Sequence, residues 1–179
     1  MDAKRSTALI VEDDPKLQNA MSAQLRQMGL EVLVANHYDA ALRHLAVGEP
    51  HVICIDVGLP NKSGYELCEH IRSSLRFLGL PILMTSDHGD PGEMAYAEDA
   101  GANAFLQKPF SMRQLAHCIE SLLSVSLAAP AALSFEAPAA IMHSIRATTR
   151  GYARALAMTM PPTRDAYRPL CGAVAPAVA

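Results

Sequence analysis

The sequence predicts an α/β protein built on a doubly wound, five-stranded parallel sheet flanked by five helices, followed by a C-terminal extension rich in alanine and proline. Two observations predict this fold. Strand-like and helix-like segments alternate five times over the first 125 residues, and repeated strand–helix units with short loops favour right-handed crossovers between parallel strands. The strand-like segments are also apolar on both faces, as is typical of strands buried between two layers of helices.

Five short runs rich in Val, Ile and Leu are the expected strands. Half of the residues in the chain are apolar, so enough hydrophobic material is present for a core on each side of a sheet. In chain order, the expected strands are Thr7–Val11, Glu31–Ala35, His51–Ile55, Pro81–Thr85 and Ala104–Gln107.

Start and stop signals place a helix after each strand. Asp14 followed by Pro15 is typical of an N-cap and the first helical position, and Gly29 is expected to end that first helix. The second helix, near Tyr38–Val47, has the weakest signals. A capping box at Ser63–Glu66 predicts the start of the third helix.

The last two helices have equally clear signals. Asp90 followed by Pro91 predicts the start of the fourth helix, which Gly101 is expected to close. A second capping box at Ser111–Gln114 predicts the start of the fifth, whose apolar residues recur at helical spacing on one face.

The character of the chain changes after residue 125. We expect a domain over residues 6–125 and a low-complexity segment over 126–179, in which Ala/Pro-rich stretches surround one candidate basic amphipathic helix at about 139–158. Residues 1–125 have a net charge of −6 and residues 126–179 a net charge of +3. The two parts therefore differ in charge as well as in composition.

Neither a membrane span nor a secretory signal is expected. No apolar run approaches the roughly 18–20 residues that a transmembrane helix needs, and the charged start of the chain does not resemble a signal peptide. The cysteines show no CxxC spacing, so we expect reduced thiols in a cytoplasmic protein; they are Cys54, Cys68, Cys118 and Cys171.

Four of the expected strands end in residues that carry chemistry. Glu12 and Asp13 follow the first strand, Asp56 follows the third, Thr85 ends the fourth and Lys108 follows the fifth. The carboxyl ends of parallel strands meet along the edge of the sheet where ligands bind, so we expect these groups to converge. Three carboxylates, a hydroxyl and an ammonium suit a divalent cation together with a phosphoryl group.

The residue types indicate what each group does in such a site. Hard carboxylate oxygens suit Mg²⁺, which keeps waters and phosphate oxygens among its ligands. Asp56 stands alone at a strand end, so it is the candidate nucleophile that attacks a phosphoryl group to give an acyl phosphate. Lys108 would neutralise charge on the phosphoryl oxygens, and the Thr85 hydroxyl would donate a hydrogen bond to one of them.

With these residues in view, residues from about 6 to 125 resemble the receiver domain of two-component response regulators. The resemblance covers about two thirds of the chain. The segments that carry it are Leu9–Asp14, Asp56–Pro60 with Ser63–Gly64, Met84–Ser86, Ala100–Ala102 and Phe105–Phe110.

The resemblance implies a flavodoxin-like sheet with strand order 2-1-3-4-5. It implies that Asp56 accepts a phosphoryl group from a phosphohistidine, on a sensor histidine kinase or a phosphotransfer protein. It also implies that Mg²⁺ is bound by Asp13, Asp56 and the backbone carbonyl of Gly58, with Glu12 acting through a water molecule.

The resemblance further implies a switch and an output surface. Thr85 and Phe105 match the switch pair, whose movement on phosphorylation would reshape the face made by the fourth helix, fifth strand and fifth helix for a downstream protein partner. Phe105 lacks the hydroxyl of the tyrosine often found there. Asn103-Ala104 replaces the Asp-Asp pair of one large DNA-binding subfamily, which weakens the expectation of that subfamily's dimer contacts.

Two other classes share parts of this pattern. A dehalogenase-like phosphatase uses a similar residue set, but its nucleophile follows the first strand, whereas Asp56 follows the third. A flavin-binding module would need a Ser/Thr/Gly-rich phosphate loop where residues 12–14 are acidic. We therefore expect a phosphoacceptor signalling protein and not an enzyme, beyond its own phosphorylation and dephosphorylation.

The output of the protein leaves an alternative open. Arg146, Arg150 and Arg154 share one face of the candidate tail helix and could contact nucleic-acid phosphates, as in a DNA-binding transcriptional response regulator with a degenerate output segment. A helix-turn-helix module needs two packed helices, and residues 126–179 offer one candidate. Signalling through protein contacts is therefore the favoured interpretation.

Overall fold

Five parallel strands form a single sheet in the computed structural model, which describes residues 5–128, the last four as backbone only. The strands are β1 (Thr7–Val11), β2 (Glu31–Ala35), β3 (Val52–Asp56), β4 (Ile82–Ser86) and β5 (Ala104–Gln107). Their order across the sheet is β2-β1-β3-β4-β5. The predicted fold class and strand order are confirmed.

A helix follows every strand. The helices are α1 (Pro15–Gln27), α2 (Tyr38–Val47), α3 (Gly64–Ser73), α4 (Pro91–Asp99) and α5 (Met112–Ala128), and a short 3₁₀ turn spans Leu75–Phe77. The candidate helix at 139–158, like the rest of the segment after residue 128, lies outside the described residues.

Two of the predicted strands are displaced by one residue. The sequence placed the third strand at 51–55 and the fourth at 81–85, but both begin and end one residue later. The reason is that the backbone ladder continues through polar residues: Asp56 pairs with Thr85, and the N–H of Val57 donates to the carbonyl of Thr85 at 2.8 Å. Strand pairing depends on backbone register, which a change from apolar to polar side chains does not mark.

The sheet separates two hydrophobic cores, because alternate side chains of each strand point to opposite faces. On β1, Leu9 and Val11 pack with residues of α2, α3 and α4. Ala8 and Ile10 pack on the other face with residues of α1 and α5. Both faces of the central strands are therefore buried, as their apolar sequences predicted.

The predicted capping residues are confirmed. Asp14 accepts from the N–H of Lys16 at 2.9 Å, Ser63 and Glu66 form a reciprocal capping box, and Asp90 caps α4.

The cap of α2 was not predicted. There, the His37 ring nitrogen accepts from the N–H of Ala40 at 3.2 Å. Histidine is not among the usual capping residues, so no local signal marked this one.

The cysteine prediction is only partly right. Cys54 and Cys68 are buried free thiols, and burial raises the pKa of Cys54 to about 12. Cys118 is disulfide-bonded, so the expectation of a reduced thiol is wrong at that position. Cys171 lies outside the described residues. Within residues 5–128, no helix has both the length and the apolar composition needed to cross a membrane.

Candidate functional site

The carboxyl edge of the sheet holds the predicted site. Asp56 is the last residue of β3, and its Cα partner on β4 is Thr85. Lys108 directly follows β5, and its backbone N–H donates to the carbonyl of Ser86 at 2.7 Å, which fixes the start of the loop beside β4. The Lys108–Pro109 peptide bond is cis.

Three acidic side chains come together at this edge. Oxygen atoms of Glu12, Asp13 and Asp56 all lie within 4.8 Å of one another. Glu12 and Asp56 are buried, with 1% and 4% of their surface exposed, whereas Asp13 is exposed. The cluster thus has two carboxylates inside the protein and one that opens to solvent.

Lys108 supplies the positive charge that the cluster needs. Its Nζ atom lies 2.9 Å from Glu12 Oε2 and 3.0 Å from Asp56 Oδ1. Burial alone would lower the pKa of Lys108, but its contacts with Glu12 and Asp56 outweigh this effect and raise that pKa above its usual value. Lys108 is therefore held as a cation between two carboxylates.

The acidic cluster still carries more negative charge than Lys108 neutralises. Burial is the largest influence on Glu12 and raises its pKa; the hydrogen bond with Lys108 offsets part of this effect, and the charge of Asp56 adds to it. A divalent cation near Asp13 would relieve this excess of negative charge. The candidate ligands are all carboxylate oxygens, and Asp13 opens to solvent. Such a site suits Mg²⁺, which prefers oxygen ligands and retains several waters.

Thr85, like the excess negative charge, indicates that the site is completed by a further group. Its side chain is buried, and among residues 5–128 its hydroxyl oxygen has no hydrogen-bond partner. Buried hydroxyls are nearly always paired, because an unpaired one costs about 1–3 kcal/mol. An unpaired hydroxyl next to Asp56 in the ladder is well placed to receive a new acceptor oxygen.

Two glycines bring backbone close to Asp56. A Cβ atom on Gly58 would lie 3.4 Å from Asp56 Oδ2, so this loop residue borders the carboxylate. A Cβ atom on Gly64 would lie 2.1 Å from the carbonyl oxygen of Asp56, which no side chain tolerates. The first turn of α3 therefore packs directly against the backbone of Asp56.

Phe105, the other predicted switch residue, lies on β5 opposite Met84. Its ring is half-buried and packs against the core on the α2, α3 and α4 side of the sheet. Thr85, its predicted switch partner, neighbours Met84 on β4, so the two switch residues lie on adjacent strands one position apart.

Sequence reasoning missed Gln18 as a supporting residue. From α1, its Nε2 atom donates to the carbonyl of Glu12 at 2.9 Å and to that of Ala35 at 3.3 Å. The N–H of Glu12 also donates to the carbonyl of Ala35, at 3.0 Å. Gln18 thus ties the end of β1 to the end of β2 just where the acidic pair begins. Nothing in the sequence distinguishes a glutamine that supports a neighbouring loop in this way from any other glutamine one turn into a helix.

Comparisons with known proteins agree with this geometry. The family of response regulator receiver domains matches residues 8–120. Transcriptional regulatory protein GltR of Pseudomonas aeruginosa is 31% identical over 123 residues, which are 69% of this chain and 51% of GltR. KdpE of Mycobacterium tuberculosis is 33% identical over 104 residues, which are 58% of this chain and 45% of KdpE. The chain spans about half the length of these curated relatives.

Solved structures show the same architecture. A protein of known crystal structure from Chloroflexus aurantiacus is 35% identical, with a TM-score of 0.65 over 68% of this chain and 99% of that one. The receiver domain of a signal transduction histidine kinase from Syntrophus aciditrophicus is 27% identical, with a TM-score of 0.64 over 73% of this chain and 99% of that one. Because the family match spans more than half of the chain and encloses every residue of the acidic site, this chain belongs to the response regulator receiver domains of two-component signalling.

Proposed function

We propose that this protein is a phosphorylation-controlled switch in which Asp56 accepts a phosphoryl group from a sensor histidine kinase or a phosphotransfer protein. With such a donor, the reaction would take place in the cytoplasm. The observation that carries the proposal is the geometry around Asp56. A buried carboxylate lies beside a lysine ammonium, and the next strand carries a threonine hydroxyl with no hydrogen-bond partner among residues 5–128. Residues 6–125 would form the phosphoacceptor unit, and residues 126–179 a separate segment.

The reaction transfers one phosphoryl group without a change of oxidation state. An oxygen of Asp56 attacks phosphorus, the bond from phosphorus to the donor nitrogen breaks, and the donor leaves with the bonding electrons and takes up a proton. Lys108, at 3.0 Å from Asp56 Oδ1, would neutralise charge on the transferred group. The protein would catalyse at most its own phosphorylation and the hydrolysis of its acyl phosphate.

A magnesium ion fits the acidic cluster and would complete it. Asp13, Asp56 and the backbone carbonyl of Gly58 would hold the ion, with Glu12 acting through a water molecule. When bound, Mg²⁺ supplies positive charge that the phosphoryl oxygens and the carboxylates share.

The switch would then act through Thr85 and Phe105. A phosphoryl oxygen on Asp56 offers the unpaired Thr85 hydroxyl an acceptor, which favours its movement towards Asp56. The space that the Thr85 side chain leaves would let the Phe105 ring turn inward. The face formed by α4, β5 and α5 would change shape and alter the binding of a downstream protein partner.

Phosphorylation with a small phosphoramidate donor and Mg²⁺ tests the proposal. We expect intact-mass spectrometry to show the addition of one phosphoryl group, which hydroxylamine removes because an acyl phosphate is labile to this nucleophile. The Asp56→Asn variant should gain none, whereas Asp39→Asn, at an exposed carboxylate on α2, should behave like the wild type. Undiminished labelling of Asp56→Asn would overturn the assignment.

The names of the curated relatives favour a second candidate for the output. GltR and KdpE are transcriptional regulators, so control of transcription through nucleic acid is the alternative to a protein partner. Salt-dependent binding of the full chain to duplex DNA, tightened by the phosphoryl mimic beryllofluoride, would support that alternative.

A further inference from the structure

The structure contains a polar contact between α3 and α4 that the switch described above does not use. Tyr65, the second residue of α3, donates its hydroxyl hydrogen bond to the side-chain carboxylate of Glu93 in the first turn of α4. The same hydroxyl lies 3.4 Å from the backbone carbonyl of Glu93. The Tyr65 ring also lies beside that of Tyr96, with 6.0 Å between the ring centroids.

The α3 end of this contact is fixed rigidly to the phosphoacceptor. Gly64 packs against the backbone of Asp56, as described above, and its N–H donates to the carbonyl of Val57 at 3.0 Å. Ser63 caps the same turn by accepting from the N–H of Tyr65 at 3.1 Å. Tyr65 therefore projects from a turn that cannot shift without disturbing Asp56.

The α4 end of the contact is held far less firmly. Among the nine residues of α4, Ala97 alone is buried, and the exposed side includes Met94 and Tyr96. A helix that buries so little apolar surface is stabilised weakly by packing, so a polar contact provides a large share of what keeps it in place. The Tyr65–Glu93 hydrogen bond acts on the N-terminal end of α4, which follows the β4 residue Thr85 by a short loop.

Both partners are suited to a strong hydrogen bond. Burial, together with the hydrogen bond and the negative charge of Glu93, raises the pKa of Tyr65, so the tyrosine stays a neutral donor. Glu93 is positioned by the N-cap, because its own N–H donates to Asp90 at 3.1 Å. Hydrogen bonds to an ionised acceptor are stronger than those between neutral groups.

We propose that Tyr65 and Glu93 form a latch between α3 and α4 that holds α4 in its resting position and so limits how readily the receiver switches. Tyr65 is a positioning residue, since it acts on α4 and not on the transferred phosphoryl group. The inference rests on the proposed function, because a latch on α4 regulates the protein only if the phosphorylated state moves that helix. Breaking the latch favours the switched state and therefore tightens the binding of a ligand selective for that state.

Tyr65→Phe in the full chain tests the latch, because it removes the hydroxyl and keeps the ring. Tyr96→Phe is the matched control, with the same atomic change on the neighbouring ring. One readout is amide hydrogen exchange of residues 91–99 without ligand, and the other is calorimetric titration with beryllofluoride and Mg²⁺. We expect faster exchange and about three- to tenfold tighter beryllofluoride binding for Tyr65→Phe, and wild-type behaviour for Tyr96→Phe.

A second variant tests the other partner of the hydrogen bond. Glu93→Met removes the acceptor oxygen and keeps the length of the side chain, so it should change both readouts in the same direction as Tyr65→Phe. The double variant should change them little beyond Tyr65→Phe, because either substitution removes one partner of the same side-chain hydrogen bond. Unchanged or weaker beryllofluoride binding by Tyr65→Phe, with normal binding by the wild type, would overturn the latch alone. Failure of the wild type to bind beryllofluoride would overturn the proposed function and the switching role of the latch with it.

Discussion

The two ends of the sheet surround a partly buried cation with different acceptor groups. At the amino end, the Arg72 guanidinium donates to the carbonyl of Gly101 at 2.8 Å, to that of Phe77 at 3.0 Å and to Asn103 Oδ1 at 2.7 Å. Asn103 Oδ1 also accepts from the N–H of Ile82 at 2.8 Å. These three acceptor oxygens belong to neutral groups, and each contact joins two different segments of the chain.

At the carboxyl end, one lysine ammonium faces three carboxylates. Lys108 contacts Glu12 and Asp56, Asp13 lies within reach of both carboxylates, and the nearby Thr85 hydroxyl has no partner among residues 5–128. Like charges held together and an unpaired buried hydroxyl both cost stability. The amino end is therefore organised for stability, whereas the carboxyl end keeps contacts that only an added cation and an added anion would complete.

The largest expected effect is the loss of stability when the Arg72 contacts at the amino end of the sheet are removed. Arg72→Met should lower the free energy of unfolding by about 3 kcal/mol, because it removes three charge-assisted hydrogen bonds that tie α3 to other segments and takes the Arg72 donor away from the Gly101 carbonyl. Urea unfolding followed by circular dichroism measures this loss. Arg43→Met, at an exposed position of α2, is the control and should change stability little. Equal losses for the two variants would show that the amino end carries no special stability.

The second prediction is a gain in stability from a substitution at the carboxyl end. Asp56→Asn should raise the free energy of unfolding by about 1 kcal/mol in Mg²⁺-free buffer, because it removes one of the mutually repelling carboxylates and leaves Lys108 paired with Glu12. Added Mg²⁺ should stabilise the wild type more than the variant and narrow the difference. Urea unfolding with and without Mg²⁺ measures both quantities. A variant less stable than the wild type without Mg²⁺ would contradict the idea that this end is destabilised by its own charges.

The same contrast explains what the sequence could predict. Glu12, Asp13, Asp56, Thr85 and Lys108 each stand at the end of an apolar run, so local pattern and parallel-sheet geometry together brought them to one edge. Arg72 and Asn103 are 31 residues apart and follow no such rule. Their pairing depends on where the end of α3 meets the start of β5, which pattern alone does not specify.

Within the site, prediction failed where a residue acts through backbone groups. Gly64 was recognised as part of a capping box, but its contact with the carbonyl of Asp56 is visible only in three dimensions. Likewise, Gln18 supports Glu12 through a carbonyl oxygen, and the sequence of α1 does not indicate the direction of that side chain. The chemical groups of the site were therefore predictable, but the groups that hold them in place were not.

The last prediction concerns Gln18, which supports the acidic residues at the carboxyl end of the sheet. Gln18→Ala should weaken Mg²⁺ binding by about tenfold, because the end of β1 loses its tie to β2 and the acidic pair is less well positioned. Calorimetric titration with Mg²⁺ measures the affinity without any phosphoryl donor. Asn19→Ala, at the exposed neighbouring position, should leave the affinity unchanged. If Gln18→Ala lowered stability but bound Mg²⁺ like the wild type, Gln18 would belong with Arg72 among the residues that serve stability alone.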